Sequence, residues 1–290
     1  MTSMEKTNYN RKNKLKSGLI FAFCVFLTLV CLIPIWTLFC NACRSATQIG
    51  QQGATLLPGT SLFENLDKLF NSAKTVNLFN AGRGFLNSAI ITFASTFLSI
   101  FISCLTAYGF SVYKFKLNDA AFTFILAVLM VPSQVSGLGY LVMMRSVGGY
   151  DHLISVILPA MAAPAVVFYL RQYMKSSFPL EIVEAARIDG SGEFKTFIKI
   201  GIPMCAPAIA VQAIFAFVTN WNNYFTPSML ISTAKKKTIP MMISALGSNT
   251  DSDIAVIYTA IFLSILPLII IYLIFSRFIV AGVALGGVKE

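Results

Sequence analysis

Charge is absent from long stretches of this chain, and that absence limits its folds more than any motif does. Between charged residues lie six uncharged intervals: Ser17 to Cys43 (27 residues), Gly84 to Tyr113 (30), Ala120 to Met144 (25), His152 to Leu170 (19), Ile200 to Ala234 (35) and Ile254 to Ser276 (23). A helix rises about 1.5 Å per residue, so roughly 20 residues cross a hydrocarbon layer about 30 Å thick. Six intervals therefore predict six transmembrane helices. The runs are nearly continuously apolar and not the alternating ten-residue segments of a membrane barrel, so the expected class is all-α and polytopic. Only 12% of the 290 residues are charged, against about a quarter in soluble domains, and a large soluble helical core is disfavoured accordingly.

The charges that remain predict an orientation. With the N-terminus inside, fourteen Lys and Arg fall on inner segments: Lys6, Arg11, Lys12, Lys14 and Lys16 before the first span, Lys114 and Lys116, then Arg171, Lys175, Arg187, Lys195 and Lys199, and finally Arg277 and Lys289. Eight fall outside: Arg44, Lys68, Lys74, Arg83, Arg145 and the triplet Lys235 to Lys237. The excess predicts that both termini face the cytosol, although the outer triplet opposes the rule. The net charge of +10 is then a membrane-orientation signal, with no basic, aromatic-interleaved face for nucleic acid. The first run is longer than a cleaved signal needs and is read as a span.

Along the chain, residues 1–16 are expected to be a disordered basic tail, 17–282 the transmembrane domain with a cytosolic loop at 171–203 inside it, and 283–290 a tail loosened by nearby glycines. The outer segment 41–84 is long, and Ser61 to Phe70 has helical periodicity. The second span is expected near 87–112, with Asn87 and Ser88 as caps and Ser95, Ser99, Ser103 and Ala107 as a close-packing face. Pro132, Gly137 and Gly139 predict a bent third span, Pro159 and Pro164 kink a short fourth, and Pro203 opens the fifth, which runs to about Asn222. Cys24, Cys31, Cys40, Cys43, Cys104 and Cys205 read as small hydrophobes, and His152 beside Asp151 as a structural surface pair.

The loop between Arg171 and Pro203 is too organised for a turn. Pro179 can start a helix whose apolar face holds Leu180, Ile182, Val183 and Ala186, with Glu181 and Glu184 turned away. Ile188 falls on the glutamate side, where an apolar residue has little reason to meet water, and is a candidate contact. Gly190 and Gly192 permit a sharp bend before a second amphipathic piece, Glu193 to Ile200. Periodicity alone fits a partner-docking element and a helix that merely covers lipid equally well.

The order Glu184-Ala185-Ala186, three residues, Gly190, nine residues, Ile200, one residue, Ile202-Pro203 resembles the cytosolic signature loop of ABC importer permeases. The form present, Glu184-Ala185-Ala186-Arg187-Ile188-Asp189-Gly190, is most similar to the carbohydrate-uptake branch, and weaker similarity extends over about residues 14–288. The resemblance implies a non-catalytic permease subunit in a bacterial cytoplasmic membrane, paired with a second, homologous permease, two cytosolic ABC ATPases and an extracellular solute-binding protein. It implies that Glu184 to Gly190 form the coupling helix. It also implies that ATP and Mg are bound by the ATPase partners, with no cofactor in this chain, which lacks a phosphate-binding Gly-rich loop. Ser191 and Asn223 depart from the family pattern, which more often has alanine and an acidic residue there.

For the solute, Asn220, Trp221, Asn222, Asn223 and Tyr224 at the end of the fifth span offer amides and aromatic rings suited to a sugar, although interfacial anchoring is the simpler role for Trp221 and Tyr224. A non-sugar solute such as a polyol or glycerol phosphate is the alternative. An ion-coupled carrier is disfavoured because the intervals contain no charge, and a membrane enzyme because no metal-ligand cluster or carboxylate pair sits near a span end.

Overall fold

A computed structural model describes residues 3–287, with side chains over 16–275. Among the described residues every regular element is helical. The helices Lys16–Ala42, Ala81–Val112, Leu153–Ser177 and Ile254–Phe275 are each long and apolar enough to cross a membrane. Two further pairs, Asn118–Val128 with Ser133–Ser146 and Glu193–Met204 with Ala206–Trp221, qualify as broken spans bent by 94° and 80°. The total of six matches the six uncharged intervals.

The chain divides into two compact units. The first comprises residues 1–77 and 246–263. Its long helix α1 (Ser3–Ala42) continues without a break from the segment expected to be a disordered tail. The span presents its apolar side chains outward, as a lipid-facing helix does. The outer segment that follows has internal structure. Helix α2 (Ala46–Gln52) begins with a full capping box between Ser45 and Gln48, and α3 (Leu62–Asn71) matches the periodic piece seen in the sequence. Both are tied to the end of α1: the buried Arg44 guanidinium donates to the Gly53 and Gln48 carbonyls and to Gln52 Oε1, and Asn65 donates to the carbonyls of Ala42 and Arg44.

The second unit comprises residues 78–245 and 264–290. Its axis is α4 (Ala81–Val112), capped by Asn80, whose side chain accepts from the Arg83 amide. Asn87 and Ser88, expected as caps, lie inside this helix and bond elsewhere. The four-residue stripe is buried as expected: Ser95, Ser99, Ser103 and Ala107 all face inward. Small side chains there let neighbouring helices approach closely.

Helices α5 (Asn118–Val128) and α6 (Ser133–Ser146) form the bent third span, broken at Pro132 and not at the glycines, which lie within α6. α7 (Leu153–Ile157), a tighter turn over Leu158–Met161 and α8 (Pro164–Ser177) make the fourth span, which runs past the expected end at Leu170. α9 (Leu180–Ile188), α10 (Glu193–Thr196) and α11 (Ile202–Met204) form the polar loop. α12 (Ala206–Trp221) is the fifth membrane helix. It opens at Ala206, with Pro207 in its first turn, and not at Pro203, because the chain turns sharply at Cys205. α13 (Phe225–Leu230), α14 (Ile239–Ser248) and α15 (Ile254–Gly287) follow. α15 continues through Gly282 and Gly286, which were expected to loosen it. α4 packs along α8 and α12, around a core that includes Tyr108, Leu170, Met174, Val183, Phe197 and Cys205.

The two ends of α4 are fixed differently. Near its start, Asn87 Nδ2 donates to the carbonyls of Lys235 and Lys237 at 3.0 Å each, and Ser88 Oγ accepts from the Ile239 amide at 2.9 Å. Asp151, in a left-handed conformation (φ 62°), completes this end. It accepts from the Ser232 and Thr233 amides and the Thr233 hydroxyl, and Lys236 Nζ bonds both its carboxylate and its carbonyl. Lys235 to Lys237 thus lie at the end of α4 away from the polar loop. Lys6, Arg11, Lys12, Lys14, Arg277 and Lys289 lie outside the residues whose side chains are described, as does the tail beyond Gly287.

Candidate functional site

The polar loop is built around a helix stop. Pro179 precedes α9, and Val183 and Ala186 turn inward to the core. Leu180 and Ile182, expected on the same apolar face, are well exposed, because only one edge of so short a helix reaches the bundle. At the far end Gly190 adopts φ +76°. Its amide donates to the Arg187 carbonyl and the Ser191 amide donates back to Ala186, closing a Schellman motif. A Cβ at Gly190 would meet nothing within 4 Å, so glycine is required there by backbone conformation and not by crowding.

The turn is held from both sides. Arg187 Nε and Nη2 donate to the two carboxylate oxygens of Glu193 at 2.7 and 3.2 Å, and the Tyr113 hydroxyl donates to Glu193 Oε2 at 2.7 Å. The Arg187 guanidinium lies 5.6 Å from the centre of the Tyr113 ring. These donors hold the Glu193 carboxyl below the usual range, Arg187 contributing first. Thr196 donates to the Ser191 hydroxyl and the Gly192 carbonyl, so the serine found in place of alanine has a partner. The wide helical turn over Phe197–Gly201 then leads to the break at Cys205.

Of the seven residues singled out here, Ala186 is buried and Arg187 is engaged within the loop. Glu184, Ala185, Ile188, Asp189 and Gly190 are exposed, Ile188 by 87%. Tyr113 and Glu193 were missed in the sequence. Tyr113 sits 80 positions away from Glu193, and Glu193 stands six residues after Arg187, across a turn and outside any helical spacing.

Beside Arg171 the loop meets α5. This buried arginine stacks over Phe122 at 3.7 Å and approaches Asn118 and Asp119 at 3.4 and 3.7 Å. It ties α8 to the start of the bent span.

The run Asn220 to Tyr224 divides. Asn220 donates to Thr96 at 3.3 Å. Trp221 is buried, stacks on Phe217 at 10° and donates Nε1 to the Ser264 carbonyl at 3.0 Å, which corrects the interfacial-anchor reading. Asn222, Asn223 and Tyr224 instead line a cavity of about 870 Å³ between α6, the 158–161 turn, α12 and α13. Gly137 lets α13 approach: a Cβ there would lie 2.9 Å from the Phe225 ring.

Comparison with known proteins gives a consistent result. A family described as binding-protein-dependent transport system inner membrane component matches residues 95–284. The arabinooligosaccharides transport system permease protein AraQ of Halalkalibacterium halodurans is 30% identical over 91% of this chain and 93% of its own. The sn-glycerol-3-phosphate transport system permease protein UgpE of Yersinia pestis is 30% identical over 88% of this chain and 91% of its own. In fold, the chain is similar to the crystal structure of a bacterial ABC transporter involved in the import of the acidic polysaccharide alginate, with TM-score 0.70, 21% identity, and coverage of 96% of this chain and 99% of that one.

Proposed function

This chain belongs to the binding-protein-dependent transport system inner membrane components, as a multi-pass permease of the cytoplasmic membrane, and we propose that it forms half of the pathway for a sugar or oligosaccharide in an ATP-driven importer. The partners in this reading are a second permease, two cytosolic ABC ATPases that bind and hydrolyse ATP with Mg, and an extracellular solute-binding protein. In this reading both termini face the cytosol, as the excess of Lys and Arg on the segments assigned inside indicates. The similarity to an arabinooligosaccharide permease supports the solute class.

One observation carries the coupling role: Ile188 stands 87% exposed at the end of α9, on a turn fixed by Gly190 and braced by Arg187 and Glu193. An apolar tip on a rigid polar mount suits insertion into a groove of another subunit, and Glu184 and Asp189 beside it orient the contact through charged hydrogen bonds. ATP-driven closure of the ATPases draws the two loops together, and the tightly packed α4, α8 and α12 carry that motion to the far side of the membrane. ATP and solute each shift this equilibrium only by binding its two states unequally.

The test is copurification of the assembled complex followed by ATPase measurement with the binding protein over neutral oligosaccharides, polyols and glycerol 3-phosphate. Ile188→Asp is expected to release the ATPases while the chain stays in the membrane. Uptake by this chain alone in liposomes, without ATPases, would overturn the reading. The glycerol-3-phosphate permease among the relatives makes that solute the second reading, and the same panel decides between them.

A further inference from the structure

The cavity between α6, α12 and α13 combines polar and aromatic lining with a complete lack of charge. Its polar groups include those of Ser133, Gln134, Thr219, Asn222, Asn223 and Tyr224. Among the described residues, neither its lining nor any element bordering it supplies an ionised side chain to it. α12, α13 and the 158–161 turn contain no charged residue, and α6 contains one, Arg145, which stacks on Tyr150 at 4.9 Å and lies outside the lining. Beyond α6 the next charge along the chain is Asp151, which is paired with Lys236, and beyond α13 it is Lys235; none of the three belongs to the lining.

We propose that this cavity admits neutral polyhydroxylated solutes and rejects anionic ones. The proposal rests on the permease reading above and narrows its substrate class. A hydroxyl both donates and accepts, so amide and hydroxyl side chains can satisfy it without a formal charge. The side-chain amides of Gln134, Asn222 and Asn223 suit vicinal hydroxyls, and the rings of Tyr224 and Phe225 suit the apolar face of a sugar ring. The volume of about 870 Å³ is that of a ligand site, where roughly 300–1,000 Å³ is usual. A phosphate or carboxylate entering it gives up part of its hydration and finds no guanidinium or ammonium in exchange, which disfavours it against a neutral solute. The uncapped first turn of α6 leaves amides that can donate to solute oxygens, and its partial positive charge, about half a unit, falls short of pairing the full charge of an anion.

The experiment uses the whole importer with its binding protein in proteoliposomes, loaded in turn with neutral tri- and tetrasaccharides, the corresponding uronate oligosaccharides, and glycerol 3-phosphate. Uptake is expected for a neutral saccharide only, and Thr219→Lys and Asn222→Asp are each expected to lower it at least tenfold. Assembly of the complex, read by size-exclusion chromatography, separates this loss from misfolding, and the unchanged binding protein keeps capture of the solute constant. Import of a uronate or phosphate at a comparable rate overturns the charge rule and leaves the permease reading standing. Neutral uptake that survives both substitutions overturns the cavity as the pathway. ATP-independent uptake by the isolated chain overturns the permease reading itself.

Discussion

Arg187 and Glu193 meet end-on across the Gly190 turn, with two nitrogen-oxygen contacts of 2.7 and 3.2 Å that join the last turn of α9 to the first residue of α10. The pair fixes the angle at which the loop presents Ile188. A lysine keeps the charge and loses the two-pronged geometry, so Arg187→Lys is expected to reduce solute-stimulated ATPase activity several-fold in the assembled complex. Arg187→Ala and Glu193→Ala combined should cost less than the two effects added, because each single change removes the same contact. Additive losses would show that the two residues act separately.

Gly190→Ala is expected to weaken the loop by about 1 kcal/mol, the cost of holding an L-residue in the left-handed region. The space around it is open, so the loss arises from conformation alone. Gly190→Asn should recover part of it, since asparagine enters this region more readily. Faster proteolytic nicking between α9 and α10, in the order alanine, asparagine, wild type, is the measurement; equal rates would remove the conformational argument.

Asp151 gives a pH dependence at the opposite end of α4. Hydrogen bonds from the Thr233 hydroxyl and amide, then from Ser232 and Lys236, hold its carboxyl well below the usual range. A depressed carboxyl stabilises the fold above its unfolded value of about 3.9, and that contribution is lost as the pH falls below this value toward the lower folded one. Wild type should therefore keep this contribution down to about pH 4.5 and lose it progressively in stronger acid. Asp151→Asn, which suits the positive φ, should melt lower at neutral pH and converge with wild type on acidification. Thermal unfolding in detergent across pH reads this directly.

Trp221→Phe should cost about 1 kcal/mol for the lost bond to the Ser264 carbonyl. Trp221→Ala should cost about 3 kcal/mol or more, as a buried aromatic leaves a cavity against Phe217 and Phe85. An interfacial anchor would show little difference between the two by melting temperature.

Most of the membrane architecture is legible in the sequence because charge is so costly in hydrocarbon that its gaps mark the spans. The helix stop at Gly190 is legible too, since few residues besides glycine adopt its conformation readily. Other features depend on partners that proximity in sequence does not reveal. Asn87 and Ser88 look like caps locally, yet their partners lie about 150 positions away, at Lys235, Lys237 and Ile239. Pro203 looks like a helix start, but the chain turns two residues later. Asn220 to Tyr224 reads as one polar run, yet α12 ends at Trp221, so Asn220 and Trp221 pack within the helix and the next three, beyond its end, line the cavity. Leu180 and Ile182 share a periodicity with Val183, but periodicity gives a face without saying how much of it a neighbour covers.

Helix α4, with 32 residues, is about 48 Å long at 1.5 Å per residue. It outreaches the hydrocarbon slab, and each end is held by specific polar bonds: Asn87 and Ser88 grip one connecting segment, and Tyr113, just past the other end, grips Glu193. A rod pinned at both ends cannot absorb a displacement by bending at a loop. Small tilts at the Tyr113 pin become leverage on the Lys235–Ile239 segment, so that segment travels with the polar loop as the far arm of one lever.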